Sequence, residues 1–201
     1  MDLAVIAITF GAIFVVELPD KTFIAALVLA TRYKPLLVWI GVGLAFFVQT
    51  LIAVLAGRVA TLLPEDVVRG VATVIFLIGA VVLYRQAPGA DAEEKAAEEE
   101  YAGDASDTRT GLKAVAASFL VLFAAEWGDL SQLLTISLIA HYGHPASVFV
   151  GAWVALLVVS GLAVVVGRVL LNHVKLSVVH YVGAGVCLVL AVLTGIELVA
   201  G

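Results

Sequence analysis

Four carboxylates stand where a chain of this kind rarely places any. Glu17 and Asp20 interrupt one apolar stretch, and Glu126 and Asp129 interrupt another. Residues three apart share one face of a helix, so each pair can aim two carboxylates at one point. An ionised side chain at membrane depth costs about 2.5–3.5 kcal/mol on insertion scales. Four anions cannot share a low-dielectric site uncompensated. They must be protonated, paired with a cation, or both. Hard divalent ions such as Mn²⁺ and Ca²⁺ prefer carboxylate, carbonyl and hydroxyl oxygen. Thr22 and Ser131 place hydroxyls beside the carboxylates, and Gln132 offers an amide oxygen. Glu17, Asp20, Thr22, Glu126, Asp129, Ser131 and Gln132 are therefore the candidate metal ligands. Protons that replace the departing cation would give cation/proton exchange.

The intervening residues shape the backbone. Pro19 has no N–H, which deprives the Val15 carbonyl of its helical partner. Gly128, at the equivalent place, loosens the helix without removing a donor. Both are expected to turn backbone oxygen toward a cation. Lys21 cannot ligate a cation and is expected to pair with Glu17 or Asp20 or to serve in gating, with snorkelling toward an interface as the alternative.

The elements that carry these residues follow from composition. The chain has 201 residues, of which 63% are hydrophobic and 13% charged. A soluble domain of this length could not hide so much apolar surface. A helical span needs roughly 20 mostly apolar residues. Six such stretches fit the sequence, near 3–30, 36–57, 67–84, 112–140, 146–168 and 176–199. The fold class is therefore an all-α integral membrane protein of about six transmembrane helices. The first and fourth stretches exceed one span and should be tilted, broken or extended.

The two carboxylate pairs reveal a duplication. VVELPDKTFIAALVLATRY lies over AAEWGDLSQLLTISLIAHY, so Glu17 meets Glu126, Asp20 meets Asp129, Thr22 meets Ser131 and Tyr33 meets Tyr142. After a one-residue shift, Gly41 meets Gly151, Thr50 meets Ser160, and Gly57-Arg58 meets Gly167-Arg168. This is an internal repeat. Each half holds three helices, an odd number, so the halves must enter the membrane from opposite sides. Inverted repeats of this kind bind their substrates near the midplane on interrupted helices. The expected organisation is a first repeat at 1–85, an acidic linker at 86–111 and a second repeat at 112–201.

Charge placement orients the chain. Arg32, Lys34, Arg85, Lys95, Arg109, Lys113, Arg168 and Lys175 fall on one side of six spans, and Arg58 and Arg69 on the other. The positive-inside rule puts the first set in the cytoplasm, with both termini outside. The linker QAPGADAEEKAAEEEYAGDASDTRTG reads as a solvated tether, with weak cation collection as its functional alternative. No basic N-terminal region precedes the first apolar stretch, so no cleavable targeting segment is expected. The net charge of −5 and the absence of a basic patch exclude a nucleic-acid partner. The single cysteine, Cys187, cannot form an intramolecular disulfide.

Weaker candidates remain. Gln49, Thr50 and Ser160 either line the path or make interhelical hydrogen bonds. Gly41, Gly43, Gly151, Gly161 and Gly167 suit close helix packing. His141 and His144 form a sparse pair in a short outer loop. Trp39 and Trp153 suit helix packing or an interface, and Trp127 lies inside the second motif.

Glu17-Leu18-Pro19-Asp20-Lys21-Thr22 and Glu126-Trp127-Gly128-Asp129-Leu130-Ser131 resemble a duplicated Glu-x-Gly-Asp-(Lys/Arg)-(Ser/Thr) signature. It marks the Gdt family of manganese/calcium transporters, also called uncharacterised protein family sixteen. The resemblance covers nearly the whole chain. It implies exchange of Mn²⁺, and in some members Ca²⁺, for protons, with manganese export in bacteria. It assigns the four carboxylates and the two hydroxyls to the cation site. It implies a bacterial inner-membrane protein with no cofactor, whose partners are the lipid bilayer and divalent cations. Pro19 and Leu130 depart from the signature. Two fused halves allow a functional monomer, with a homodimer as the alternative. Export of Cd²⁺ or a cationic amino acid is the alternative function, since such exporters share a small six-helix architecture. An intramembrane aspartyl protease is disfavoured because its Gly-x-Gly-Asp run is absent. A non-transporting assembly protein has no feature in its favour.

Overall fold

The computed structural model describes residues 1–18, 20–60, 62–90, 92, 99, 111–173 and 176–200. These form α1 (Leu3–Glu17), α2 (Lys21–Arg32), α3 (Pro35–Ala60), α4 (Glu65–Gln86), a 3₁₀ turn (Ala87–Gly89), α5 (Leu112–Ala125), α6 (Leu130–Tyr142), α7 (Pro145–His173) and α8 (Leu176–Ala200). Four helices are long and apolar enough to cross a bilayer by themselves: α3, α4, α7 and α8. The two overlong stretches are both broken. α1 and α2 meet at 69°, and α5 and α6 at 71°. Counting each bent pair once gives six spans.

Local chemistry sets the helix ends. Asp2 caps α1, accepting from the Ala4 and Val5 N–H groups at 2.8 and 3.3 Å. The Asp2 N–H donates to Ser147 Oγ at 2.8 Å, tying the start of α1 to the start of α7. Pro35 and Pro145 open α3 and α7, where a missing N–H costs nothing. Gly143, at φ +65°, closes α6 in the left-handed conformation.

The halves are inverted, and equivalent helices show it by running antiparallel. α4 pairs with α8 so that Thr73 bonds Thr194 at 2.9 Å and Tyr84 meets Tyr181 at 5.5 Å between ring centroids. α3 pairs with α7 so that the Trp39 indole donates to the Leu157 carbonyl and the Trp153 indole to the Gly43 carbonyl, at 3.0 and 3.2 Å.

Each half also grips the other at one tight crossing. A Cβ on Gly41 would stand 2.4 Å from the Val115 carbonyl oxygen and 2.9 Å from Ser118 Cβ. A Cβ on Gly151 would stand 2.7 Å from the Ile6 carbonyl oxygen and 2.9 Å from Thr9 Cβ. Ile6 and Thr9 are the repeat counterparts of Val115 and Ser118. Glycine is required at both crossings because backbone oxygen cannot yield. Thr9 and Ser118 are alike in a further respect, each burying a hydroxyl without a partner.

Buried apolar residues from both halves, including Ile13, Phe23, Val42, Phe76, Leu122, Leu134 and Leu138, form one core cluster. The outward faces of α4 and α8 stay apolar and exposed, with Val71, Val74, Ile78, Val189, Val192 and Ile196 among them. Such a belt suits contact with lipid.

Pro19, the side chains of Lys21 and Arg168, Lys175 and most of the acidic linker lie outside the described residues. So do the expectations that rest on them.

A carboxylate cluster between two broken helices

Each break puts a glutamate at the end of one helix and an aspartate at the start of the next. Glu17 ends α1, and Asp20 is the N-cap of α2. Glu126 caps the C-terminus of α5, and Asp129 is the N-cap of α6. The Asp129 carboxylate accepts from the Ser131 N–H at 3.3 Å. Aspartate is favoured at a helix start because its carboxylate meets unpaired N–H groups and the positive end of the dipole.

The inverted repeats bring the breaks face to face. Glu17, Asp20, Glu126 and Asp129 each offer one carboxylate oxygen, and these four oxygens lie within 4.8 Å of one another. Glu17 and Glu126 are 1% and 2% exposed, whereas Asp20 and Asp129 are half-buried. Two charges about 4 Å apart repel by about 4 kcal/mol at an effective dielectric of about 20. Several such pairs would exceed the roughly 5–15 kcal/mol that holds a typical domain together. The cluster therefore demands positive charge, as protons or as a cation. Glu17 Oε1 and Glu126 Oε1 are buried without hydrogen-bond partners, as expected of oxygens left for such a ligand.

The hydroxyls are unequally shared. Thr22 donates to Glu17 Oε2 at 3.1 Å and reaches Asp20 Oδ2 at 3.4 Å.

Gln132 and Gln49 have a different task. The Gln132 amide oxygen accepts from the Gly128 N–H at 3.2 Å, and its NH₂ donates to the Gln49 amide oxygen. The Gln49 NH₂ donates to the Phe123 carbonyl at 2.7 Å. Backbone bookkeeping explains this clasp. In the first break, the Phe14 carbonyl keeps its helical partner, the Leu18 N–H, at 3.1 Å. In the second, the Trp127 N–H turns to the Ala124 carbonyl at 3.4 Å, which frees the Phe123 carbonyl. Gly128 permits the turn with φ +81°. Gln49, on α3 of the other repeat, supplies the missing donor. The sequence pointed to Gln49 as polar at membrane depth, but its partner is visible only in three dimensions.

Several sequence expectations resolve here. The Val15 carbonyl lies beside Gly183 of α8, where a Cβ would stand 3.6 Å away. Ser160 donates to the Leu157 carbonyl of its own helix at 3.1 Å. His141 pairs with Glu197 at 3.4 Å, and the acidic cluster is the only metal-competent group among the described residues. Trp127 is 64% exposed and packs against Phe123.

Two inverted bundles, with broken helices that converge on buried carboxylates, define a membrane-spanning protein of the inverted-repeat architecture that many secondary transporters share. Comparison with known proteins gives the family. The model of the GDT1 divalent cation/proton antiporters matches residues 5–91 and 114–200, one stretch in each half, and the chain belongs to that family. It is a family of transporters, not of enzymes. The chain is 34% identical to GDT1-like protein sll0615 of Synechocystis over 81% of its own length and 86% of that protein's. It is 32% identical to the chloroplast protein PAM71 of Arabidopsis thaliana over 96% of its own length. It is 33% identical to the chloroplast GDT1-like protein 2 of Oryza sativa over 92%. The chain spans only 57% and 59% of these two plant relatives. No solved structure is similar to it.

Proposed function

We propose that the chain exchanges a divalent cation for protons across the membrane, with Mn²⁺ as the principal substrate and Ca²⁺ as a second. The observation that carries this reading is the convergence of four carboxylate oxygens within 4.8 Å, two from each repeat. Glu17, Asp20, Glu126 and Asp129 ligate the cation, and Thr22 and Ser131 complete an all-oxygen set suited to a hard ion. Gln132 acts at one remove, holding Gly128 rather than the ion. Exchange follows from charge balance: when the cation leaves, protons must take its place. The family description supports the same pairing of ions.

Orientation follows from the basic residues, with both termini outside and the acidic linker in the cytoplasm; manganese export as the net direction is what the resemblance to the Gdt family implies. In a bacterial cell this is the inner membrane.

Vesicles containing the protein should acidify or alkalinise in response to an imposed Mn²⁺ or Ca²⁺ gradient. Glu17→Gln and Asp129→Asn should each abolish that flux. Unchanged flux in both variants would overturn the site assignment. Transport of lysine in place of either metal would overturn the substrate.

A further inference from the structure

Beside the carboxylate cluster, next to Glu126, lies a cavity with room for about 10 Å³. That is near the lower limit for one water molecule. Gln49, Thr50, Ser131, Gln132, Thr135 and Glu126 make its polar walls. Glu126 is 2% exposed, and its Oε1 has no partner. A buried water makes about three hydrogen bonds to such groups, and a void this polar does not stay dry.

The corresponding place beside Glu17 is different. The repeat counterparts of Gln132, Thr135 and Gln49 are Phe23, Ala26 and Val159. All three are buried and apolar. Thr50 corresponds to Ser160, whose hydroxyl donates to its own helix as that of Thr135 does, so each is left to a water as an acceptor. Glu17 Oε1 is also unpartnered, but Phe23, Ala26 and Val159 offer a water beside it no hydrogen bond.

We propose that this cavity is a single-water site and that a cation bound by the cluster keeps one water ligand on the Glu126 side and none on the Glu17 side. Gln49 is a positioning residue for it: through Phe123 and Gln132 it fixes the wall that faces Glu126. Hard divalent ions shed their hydration reluctantly, so a seat for one retained water lowers the cost of binding. The asymmetry also explains the hydroxyls. Glu17 receives the Thr22 hydroxyl, and Glu126 is left a water instead. This inference rests on the cation-binding reading above.

The test is electron paramagnetic resonance of Mn²⁺ bound to the full chain in water enriched in oxygen-17. Hyperfine coupling from one exchangeable water is expected. Thr50→Val with Thr135→Val should remove that coupling while Mn²⁺ stays bound, and Thr50→Ser with Thr135→Ser should keep it. Bound Mn²⁺ without an oxygen-17 coupling, or a coupling unchanged in the valine pair, would overturn the proposal. The wild-type spectrum decides the first point even if the valine pair fails to fold. Failure of the wild-type chain to bind Mn²⁺ leaves only the free-ion spectrum, and would instead overturn the cation reading.

Discussion

Thr22 is where the chemistry of a single side chain is most exposed to test. Its hydroxyl holds Glu17 at 3.1 Å and lies 3.4 Å from Asp20, so it orients both acids of the first half-site. Thr22→Val keeps the volume and removes both contacts. A hydrogen bond to a charged group contributes about 1.5–3 kcal/mol. Mn²⁺ affinity should therefore fall about tenfold or more, as read by isothermal calorimetry, while Thr22→Ser should stay near the wild type. Gly128 offers a second test. Its φ of +81° is one that residues with a Cβ rarely adopt, and a Cβ there would meet nothing within 4 Å. Gly128→Ala thus isolates backbone strain, which costs of order 1–3 kcal/mol at such positions. A lowered thermal midpoint should accompany a shift in cation affinity, because the Gly128 N–H anchors the Gln132 end of the clasp.

At the level of helices, the pair of crossings built on Gly41 and Gly151 makes the sharpest claim. Both glycines face a carbonyl oxygen of the other repeat closer than any Cβ could approach. Gly41→Ala and Gly151→Ala must push α3 from α5 and α7 from α1. Overpacking typically costs about 1–3 kcal/mol. The two variants should lower the thermal unfolding midpoint in detergent by similar amounts, because the crossings are repeat-related. Gly11→Ala is the control: nothing lies within 4 Å of its added Cβ, and alanine is the better helix former. A stable Gly41→Ala would deny that the crossing is close-packed. The broken helices were legible as overlong stretches with a proline or glycine at their acidic motifs. Where the freed backbone groups go was not, because the Gln49 that satisfies Phe123 is 74 residues distant in sequence.

Across the whole molecule the repeats are not arranged symmetrically. α8 packs against α1, and Gly183 sits over the first break beside the Val15 carbonyl. α4 packs against α6, and among the described residues it makes no comparable contact with α5. The second break is left uncovered, with Ala124, Ala125, Trp127 and Gly128 exposed. Alternating access in inverted repeats works by exchange of such unequal contacts between the halves. In a Cys187→Ser background, Ala124→Cys should react with a water-soluble thiol reagent much faster than Val15→Cys, since thiol chemistry needs water at the site. Conditions that favour the opposite state should reverse the order. An inert Ala124→Cys would mean that lipid, not water, seals the second break.

The sequence by itself determined a great deal here. Hydrophobic runs of membrane length fixed the class, because unpaired backbone in lipid leaves helices as the available form for such runs. The ExxDx(S/T) duplication at Glu17 and Glu126 identified the repeat, and odd helix counts made it inverted. The cost of a buried charge picked out the four acids without any coordinates. Tertiary structure alone decided which oxygens face one another, that the Thr22 hydroxyl turns to Glu17, and that the Gln132 amide oxygen accepts from the Gly128 N–H. The first of these depends on distances of a few ångströms between residues about 110 apart. A repeat pattern specifies equivalence, but the Gln49–Gln132 clasp and its apolar counterparts Val159 and Phe23 show that equivalent positions can fold into unequal halves of one site.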